Sequence, residues 1–237
     1  MPATVTNRRV LMFSGGMDSF ILKTIYQVPD EDCIFTRMGT EENAEEEILL
    51  NQYFPGVKVV DLPLVDFELG NKIIPFRNHF LALMGAQFAP EIMFAFTAGD
   101  TTRDKDYVFK AQMEGILNYF SLSEDKVLYP GPYQINMPFK AVTKTEIVRA
   151  YLSHGLPSED LLRKSRSCYA GEMLPCGHCR SCLRKYVALH LNGISCDGWV
   201  ESIPSIDTLE GFLVESELKG RKSETEDIKK CINTLQQ

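Results

Sequence analysis

A chain of 237 residues with 44% hydrophobic and 24% charged side chains fits one sizeable globular domain with an appendage, or at most two small domains. Its net charge of −7 opposes broad attraction to nucleic acid, which rests on lysines and arginines neutralising phosphates, so an anionic ligand has to be held by a local site. No apolar run approaches the ~18 residues of a membrane span, and the N-terminal MPATVTNRRV lacks the apolar stretch of a secretory signal; a cytoplasmic protein without a membrane partner is expected.

In chain order, short apolar or β-branched runs at 10–14, 33–38, 57–62 and 91–98 each end on Gly, Pro or a polar residue and read as strands. Between them lie helical patterns at 18–27, 41–53 and 77–88, the last placing Phe80, Leu83, Met84 and Phe88 on one face. Continuous apolar strands alternating with helices predict an α/β fold with an open, doubly wound parallel sheet. A longer helix is predicted over 105–121. Another begins after Thr143, where Glu146 stands at capping-box spacing, and stops at His154-Gly155. Residues 157–182 lack periodicity, Arg180–Leu191 resumes a helix, and the tail from Ser202 is polar with scattered Leu, Ile and Val. The EENAEEE run at 41–47 is read as a solvated helix start with carboxylates at the favourable end of the dipole.

The first strand runs into Ser14-Gly15-Gly16-Met17-Asp18-Ser19. A glycine pair there lets the backbone turn sharply and aim its amides inward, and the following helix brings its positive end to the same place, as a phosphate cradle requires. The loop lacks the Gly-Lys-Ser/Thr ending of a Walker motif and the third glycine of a dinucleotide fingerprint. A second feature is Cys168-x₇-Cys176-x₂-Cys179-x₂-Cys182, four soft ligands within fifteen residues. In a reducing compartment such a cluster points to a metal, and ligand chemistry favours a closed tetrahedral Zn²⁺ site over an iron–sulfur cluster, whose C-x₃-C-P continuation is missing. His178 is redundant beside four cysteines and is expected in solvent, while Cys33, Cys196 and Cys231 are expected to be inert packing.

S-G-G-x-D-S after an N-terminal strand resembles the PP-loop of the N-type ATP pyrophosphatases, which split ATP into AMP and pyrophosphate. With Pro75-Phe76-Arg77-Asn78, KTEIVRAYLSHG and SCYAGEMLPCGHCRSCLRK, the likeness extends over residues 8–192 to the 7-cyano-7-deazaguanine synthase family. The resemblance implies an adenine nucleotide α-hydrolase-like fold with a C-terminal helical zinc-knuckle region. It divides the chain into an ATP pyrophosphatase domain over 1–155, a zinc-binding helical region over 156–200 and an extension over 201–237. It implies ATP with Mg²⁺ bound by Ser14, Gly15, Gly16, Met17, Asp18, Ser19, Arg37, Met38, Asn78 and Gly99. Catalysis would fall to Asp18, Asp100, Lys144 and Arg77, and structural Zn²⁺ to Cys168, Cys176, Cys179 and Cys182. The implied partners are 7-carboxy-7-deazaguanine, ammonia and a second copy of the chain in a homodimer.

Two substrate elements depart from the family. Its Tyr-Gly-Gln-Arg-His loop is replaced by Met38-Gly39-Thr40-Glu41-Glu42, and its Asp-Tyr-Ser-Gly-Tyr-Pro-Asp-Cys loop by GDTTRDKDYVF, which keeps Asp104, Asp106 and Tyr107 at other spacing. ATP use is therefore better supported than the identity of the base. An enzyme that stops at the amide, another adenylating enzyme such as a tRNA sulfur transferase, and an inactive binding module remain as alternative readings.

Overall fold

A computed structural model describes residues 9–70, 72–121, 131–168 and 174–237. The first eight residues and Tyr169 to Met173 of the SCYAGEM stretch lie outside the described residues. Five parallel strands form one sheet in the order β3-β2-β1-β4-β5: β1 (Arg9–Met12), β2 (Cys33–Arg37), β3 (Lys58–Asp61), β4 (Glu91–Met93) and β5 (Gln134–Asn136). The chain winds outward from β1 through β2 to β3, then returns to place β4 on the other side of β1. The strand order therefore reverses between β1 and β4, and in open α/β sheets the crevice at that reversal is where ligands bind.

Alternation along the strands separates two cores. Leu11 and Phe13 of β1 and its exit face one layer, whereas Val10 and Met12 face the other. The first layer holds α1 (Met17–Ile25), α2 (Glu41–Tyr53), α5 (Lys144–Ser153), α6 (Ser158–Arg163) and α7 (Arg180–His190). The second holds α3 (Arg77–Gly85) and α4 (Tyr107–Ser121). Side chains on both faces explain the near-continuous apolar strands. Among the described residues no helix is long and apolar enough to cross a membrane.

The helix expected after Thr143 forms with its full capping box: Thr143 Oγ1 accepts from the Glu146 amide, and Glu146 accepts from the Thr143 amide at 2.7 Å. It ends where Gly155 turns into the left-handed region, at φ +70°. Several expectations need correction. β4 stops at Met93 rather than running to 98; beyond it the chain turns into a loop in which the Asp100 amide bonds the Thr97 carbonyl and the Ala98 amide the Val142 carbonyl. β5 and α6 form where no element was expected; three residues bounded by prolines and a six-residue helix are too short to show a period. The 41–47 run is only partly solvated. Asn43 is buried, accepting from the Met38 and Gly39 amides at 2.6 and 2.9 Å, and donates to Glu46 at 3.1 Å.

The polar tail folds into α8 (Ile206–Leu218) and α9 (Lys222–Leu235), which pack against each other and on α7. Leu209, Phe212, Ile228, Cys231 and Ile232 join the same buried cluster as Leu11 and Phe20. Burying each such side chain stabilises the fold by about 1.5–3 kcal/mol. The three cysteines outside the cluster are buried, and burial pushes the thiols of Cys33 and Cys231 up to about 12 and about 11, so they are poor nucleophiles.

Candidate active site and metal centre

The glycine loop leaves β1 at the strand-order reversal and opens α1, with Gly16 as N-cap and no side chain capping the helix. Gly15 lies at φ +70°, a conformation that suits glycine, and a Cβ on Gly16 would stand 3.2 Å from Ser14 Oγ. The Gly16 amide donates to Ser14 Oγ at 3.3 Å, Ser14 and Ser19 share a hydroxyl hydrogen bond at 3.2 Å, and Ser19 Oγ donates to Gly16 O at 3.0 Å. The result is a ring of small polar groups around a helix N-terminus, suited to an anion.

Asp18, in the first turn of α1, receives the Lys144 ammonium of the first turn of α5 on Oδ2. Oδ1 of Asp18 is buried and finds no hydrogen-bond partner among the described residues. A buried carboxylate oxygen left open is costly, and a cation fits the vacancy in its bonding. Two positive helix ends and a lysine thus converge on one carboxylate.

Asp100 follows β4 and stands in a different setting. Its Oδ2 accepts from the Thr97 amide at 2.9 Å and from Thr97 Oγ1 at 3.3 Å. Its Oδ1 faces Arg184 at 3.2 Å and Lys105 at 3.6 Å. Burial alone would raise this carboxyl, but Lys105, Arg184 and Lys144 hold it well below the usual range. Lys140 bonds the Asp100 carbonyl at 2.6 Å, and burial lowers its affinity for a proton. Both Asp100 oxygens are engaged by protein, whereas Asp18 keeps one open.

The other expected site residues are distributed as follows. Asn78 is buried and donates to Asp104 at 2.7 Å, tying the start of α3 to the loop after β4. Arg77 precedes it, half-buried, following Phe76 at φ 58°. Gly99 adjoins Asp100, and a Cβ there would stand 2.7 Å from an Arg184 nitrogen. At the end of β2, Arg37 pairs with Glu47 and Asp61, each at 2.7 Å. The Met38 amide goes to Asn43 and its carbonyl accepts from Leu64 and Val65, each at 3.1 Å. These two residues are thus held by the protein's own groups, in contrast to the open loop after β1.

Sequence reading missed the brace behind the glycine loop. Arg166 donates its amide to Gly15 O at 2.9 Å, and the Met17 amide reaches Ser167 Oγ at 3.5 Å. Ser165 is held in turn by Lys185 of α7, whose ammonium lies 2.8 Å from its carbonyl and 2.9 Å from its hydroxyl. Burial pulls Lys185 down to about 8. The Ser-Arg-Ser spelling next to the first cysteine was the available signal.

That brace leads directly into the cysteines. The sulfurs of Cys168, Cys176, Cys179 and Cys182 all lie within 4.8 Å of one another. The Cys176 amide donates to Cys168 Sγ at 3.3 Å, and the Cys179 amide to Cys176 Sγ at 3.3 Å, bonds that favour thiolate. Four thiolates around a Zn–S length of ~2.3 Å need sulfurs about 3.8 Å apart, so a small contraction closes the cluster on the ion. His178 is exposed and bonds the Cys176 carbonyl at 3.0 Å, outside the donor set.

A parallel α/β sheet with a glycine-rich, anion-suited loop at its strand-order reversal and a four-cysteine knuckle able to hold a metal beside it is the architecture of an α/β enzyme class. The model of the family described as queuosine biosynthesis protein QueC matches residues 56–193, more than half of the chain. A 7-cyano-7-deazaguanine synthase of Thermoplasma acidophilum is 45% identical over 210 residues, covering 74% of this chain and 84% of that protein. Another of Persephonella marina is 26% identical over 222 residues, covering 80% and 95% respectively. The chain belongs to the QueC family of queuosine biosynthesis proteins.

Proposed function

We propose that the protein converts 7-carboxy-7-deazaguanine and ammonia to 7-cyano-7-deazaguanine, consuming ATP and releasing AMP and pyrophosphate. A carboxylate does not react with ammonia at neutral pH because oxide would have to leave. In the proposed sequence the substrate carboxylate attacks the α-phosphate of ATP, and pyrophosphate departs. Ammonia then displaces AMP to give the amide. A second ATP activates the amide oxygen, and loss of AMP with two protons leaves the nitrile.

The observation that carries this reading is the convergence of the open glycine loop, Asp18 and Lys144 at the sheet's reversal point. The loop amides with Ser14 and Ser19 hold the β- and γ-phosphates, and Lys144 meets the charge that accumulates on the departing pyrophosphate. Asp18 Oδ1 would hold Mg²⁺, which would supply positive charge against the phosphates. Asp100, Arg77 and Asn78 are assigned to the same site, with Asn78 tying α3 to the loop after β4 through Asp104. The cysteines are assigned a structural Zn²⁺, which supplies folding stability and no step of the reaction.

Names of the relatives support the same base, and the altered loops make it the point to test. Incubation with 7-carboxy-7-deazaguanine, ammonium and Mg-ATP should release AMP and pyrophosphate, two of each per nitrile. ATP binding without substrate-dependent AMP would refute the base; one AMP per turnover with accumulating amide would refute the second round. We also assign the working form as a homodimer. The support is the number of exposed apolar side chains that α3 and α4 carry: Phe76 at the start of α3 is 69% and Tyr119 of α4 73% exposed, and Phe80, Leu83 and Ile116 are exposed as well.

A further inference from the structure

The last two helices lie beyond the segment matched by the family model, yet one of their side chains reaches the edge of the nucleotide crevice. Arg184 of α7 donates Nε to Glu224 Oε1 of α9, while its Nη1 lies 3.2 Å from Asp100 Oδ1 and its Nη2 3.5 Å from Thr97 Oγ1. Glu224 Oε2 also receives Arg221 at 3.2 Å. Charges alternate along one chain of contacts: Lys105, Asp100, Arg184, Glu224, Arg221. The side chains of Asp100, Arg184 and Glu224 are only 11–12% exposed, so water competes little for these bonds.

The guanidinium is wedged against the loop backbone. It occupies the space a Cβ on Gly99 would need, and Glu224 Oε2 stands 3.3 Å from the same point. The loop it braces carries hydrogen bonds that depend on its shape: the Thr97 amide to Asp100 Oδ2, the Asp100 amide to the Thr97 carbonyl, and the Ala98 amide to the Val142 carbonyl ahead of Lys144. A guanidinium in low dielectric needs its counter-charges, and with Asp100 alone it would be free to rotate about its long side chain. Glu224 fixes the far side.

We propose that Glu224 is a positioning residue of the nucleotide site: through Arg184 it sets the place of Asp100 and the loop over residues 97–100, a role that belongs to this one side chain of the α8–α9 hairpin. The proposal rests on the adenylation reading above for its kinetic consequence. Glu224 contacts Arg184 and Arg221 rather than the glycine loop, so ATP affinity stays with that loop and Lys144, and misplacement of the 97–100 loop is felt at the reacting α-phosphate.

The test compares Glu224→Gln with Thr225→Val. Thr225 bonds Ser216 at 3.1 Å inside the hairpin and belongs to no part of the ion-pair chain, so its variant loosens the hairpin alone. Turnover per folded molecule should fall about tenfold in Glu224→Gln, with the Kd for Mg-ATP within threefold of wild type. Thr225→Val should keep its turnover even where its Tm falls equally. In an Arg184→Gln background, Glu224→Gln should add less than twofold. Independently of any substrate, amide exchange at Thr97, Ala98 and Asp100 should accelerate in Glu224→Gln and not in Thr225→Val. Unchanged turnover in Glu224→Gln, or equal losses in both variants, would overturn the relay. If the wild-type protein makes no AMP from 7-carboxy-7-deazaguanine, the substrate assignment fails while amide exchange still decides the relay, unchanged exchange sinking it.

Discussion

Lys144 and Asp18 are 126 residues apart in the chain and meet in an ion pair between the first turns of α5 and α1. A lysine at the start of a helix opposes the dipole, which its carboxylate partner only partly offsets. An incoming phosphate would complete the compensation.

Replacing Lys144 with Met should therefore lower kcat/KM for pyrophosphate release by roughly 100-fold, in the range found for loss of one preorganised group facing developing charge. Asp18→Asn should do the same, since the neutral amide loses the charge that pairs with Lys144 and that would hold Mg²⁺. Pyrophosphate release against ATP concentration measures both. Wild-type rates in either variant would remove the pair from the mechanism.

Glu46 gives the molecule a pH dependence. Burial and Glu42 push its carboxyl from an ordinary 4.5 up to about 7, against the opposing pull of Asn43, Arg77 and Arg166. The folded state thus binds the proton more tightly than the unfolded chain, and stability falls as pH rises from about 4.5 through about 7. Glu46→Gln, a neutral isostere, should gain about 3 kcal/mol over wild type at pH 8 and almost nothing below pH 4.5. Denaturant unfolding at the two pH values measures this; an equal difference at both would show that charge is not the cause.

Legibility in the sequence followed range of interaction. The glycine loop, the first two strands and the Thr143 capping box rest on neighbours a few residues apart, and they fold as spelled. The cysteine cluster was legible because metal ligands carry their own spacing. Ser165 to Ser167 were invisible as a brace because their partners, Gly15, Met17 and Lys185, are far away in the chain. The Arg184–Glu224 bond has the same character, with 40 residues between its ends. α9 shows few apolar residues, yet Ile228, Cys231, Ile232 and Leu235 stand at helical spacing, a stripe that the reading of a polar tail with scattered apolar residues passed over and that docks on the core.

The metal cluster should report on the nucleotide loop through Ser165–Cys168. Cys179→Ser should abolish stoichiometric metal binding and lower Tm by about 10 °C, the order expected for losing a few kcal/mol from a domain of this size. Because Cys168 continues the segment that holds Gly15 and Met17, and Cys182 lies in the first turn of α7 ahead of Lys185, affinity for Mg-ATP should weaken as well. Elemental analysis, thermal unfolding and calorimetry check these in turn. A variant with full metal content, or with wild-type Tm, would show that the four sulfurs do not act as one site.

The apolar face on α3 and α4 yields the prediction about assembly. Val108, Ile116 and Tyr119 of α4 flank the stripe formed by Phe109, Met113 and Leu117, which is buried against the sheet, so the helix is apolar well beyond what its own core needs. On α3, Phe80 and Leu83 are one turn apart and point outward. Such a surface is costly in water and becomes favourable when matched by its own copy around a two-fold axis, where about 800 Å² per partner makes a stable contact. Wild-type protein should sediment as a dimer, and Phe80→Glu combined with Tyr119→Lys should give a folded monomer, since both positions are exposed within one chain. A wild-type monomer at concentrations of about 10 µM, or an unaffected dimer in the double variant, would place the subunit contact elsewhere.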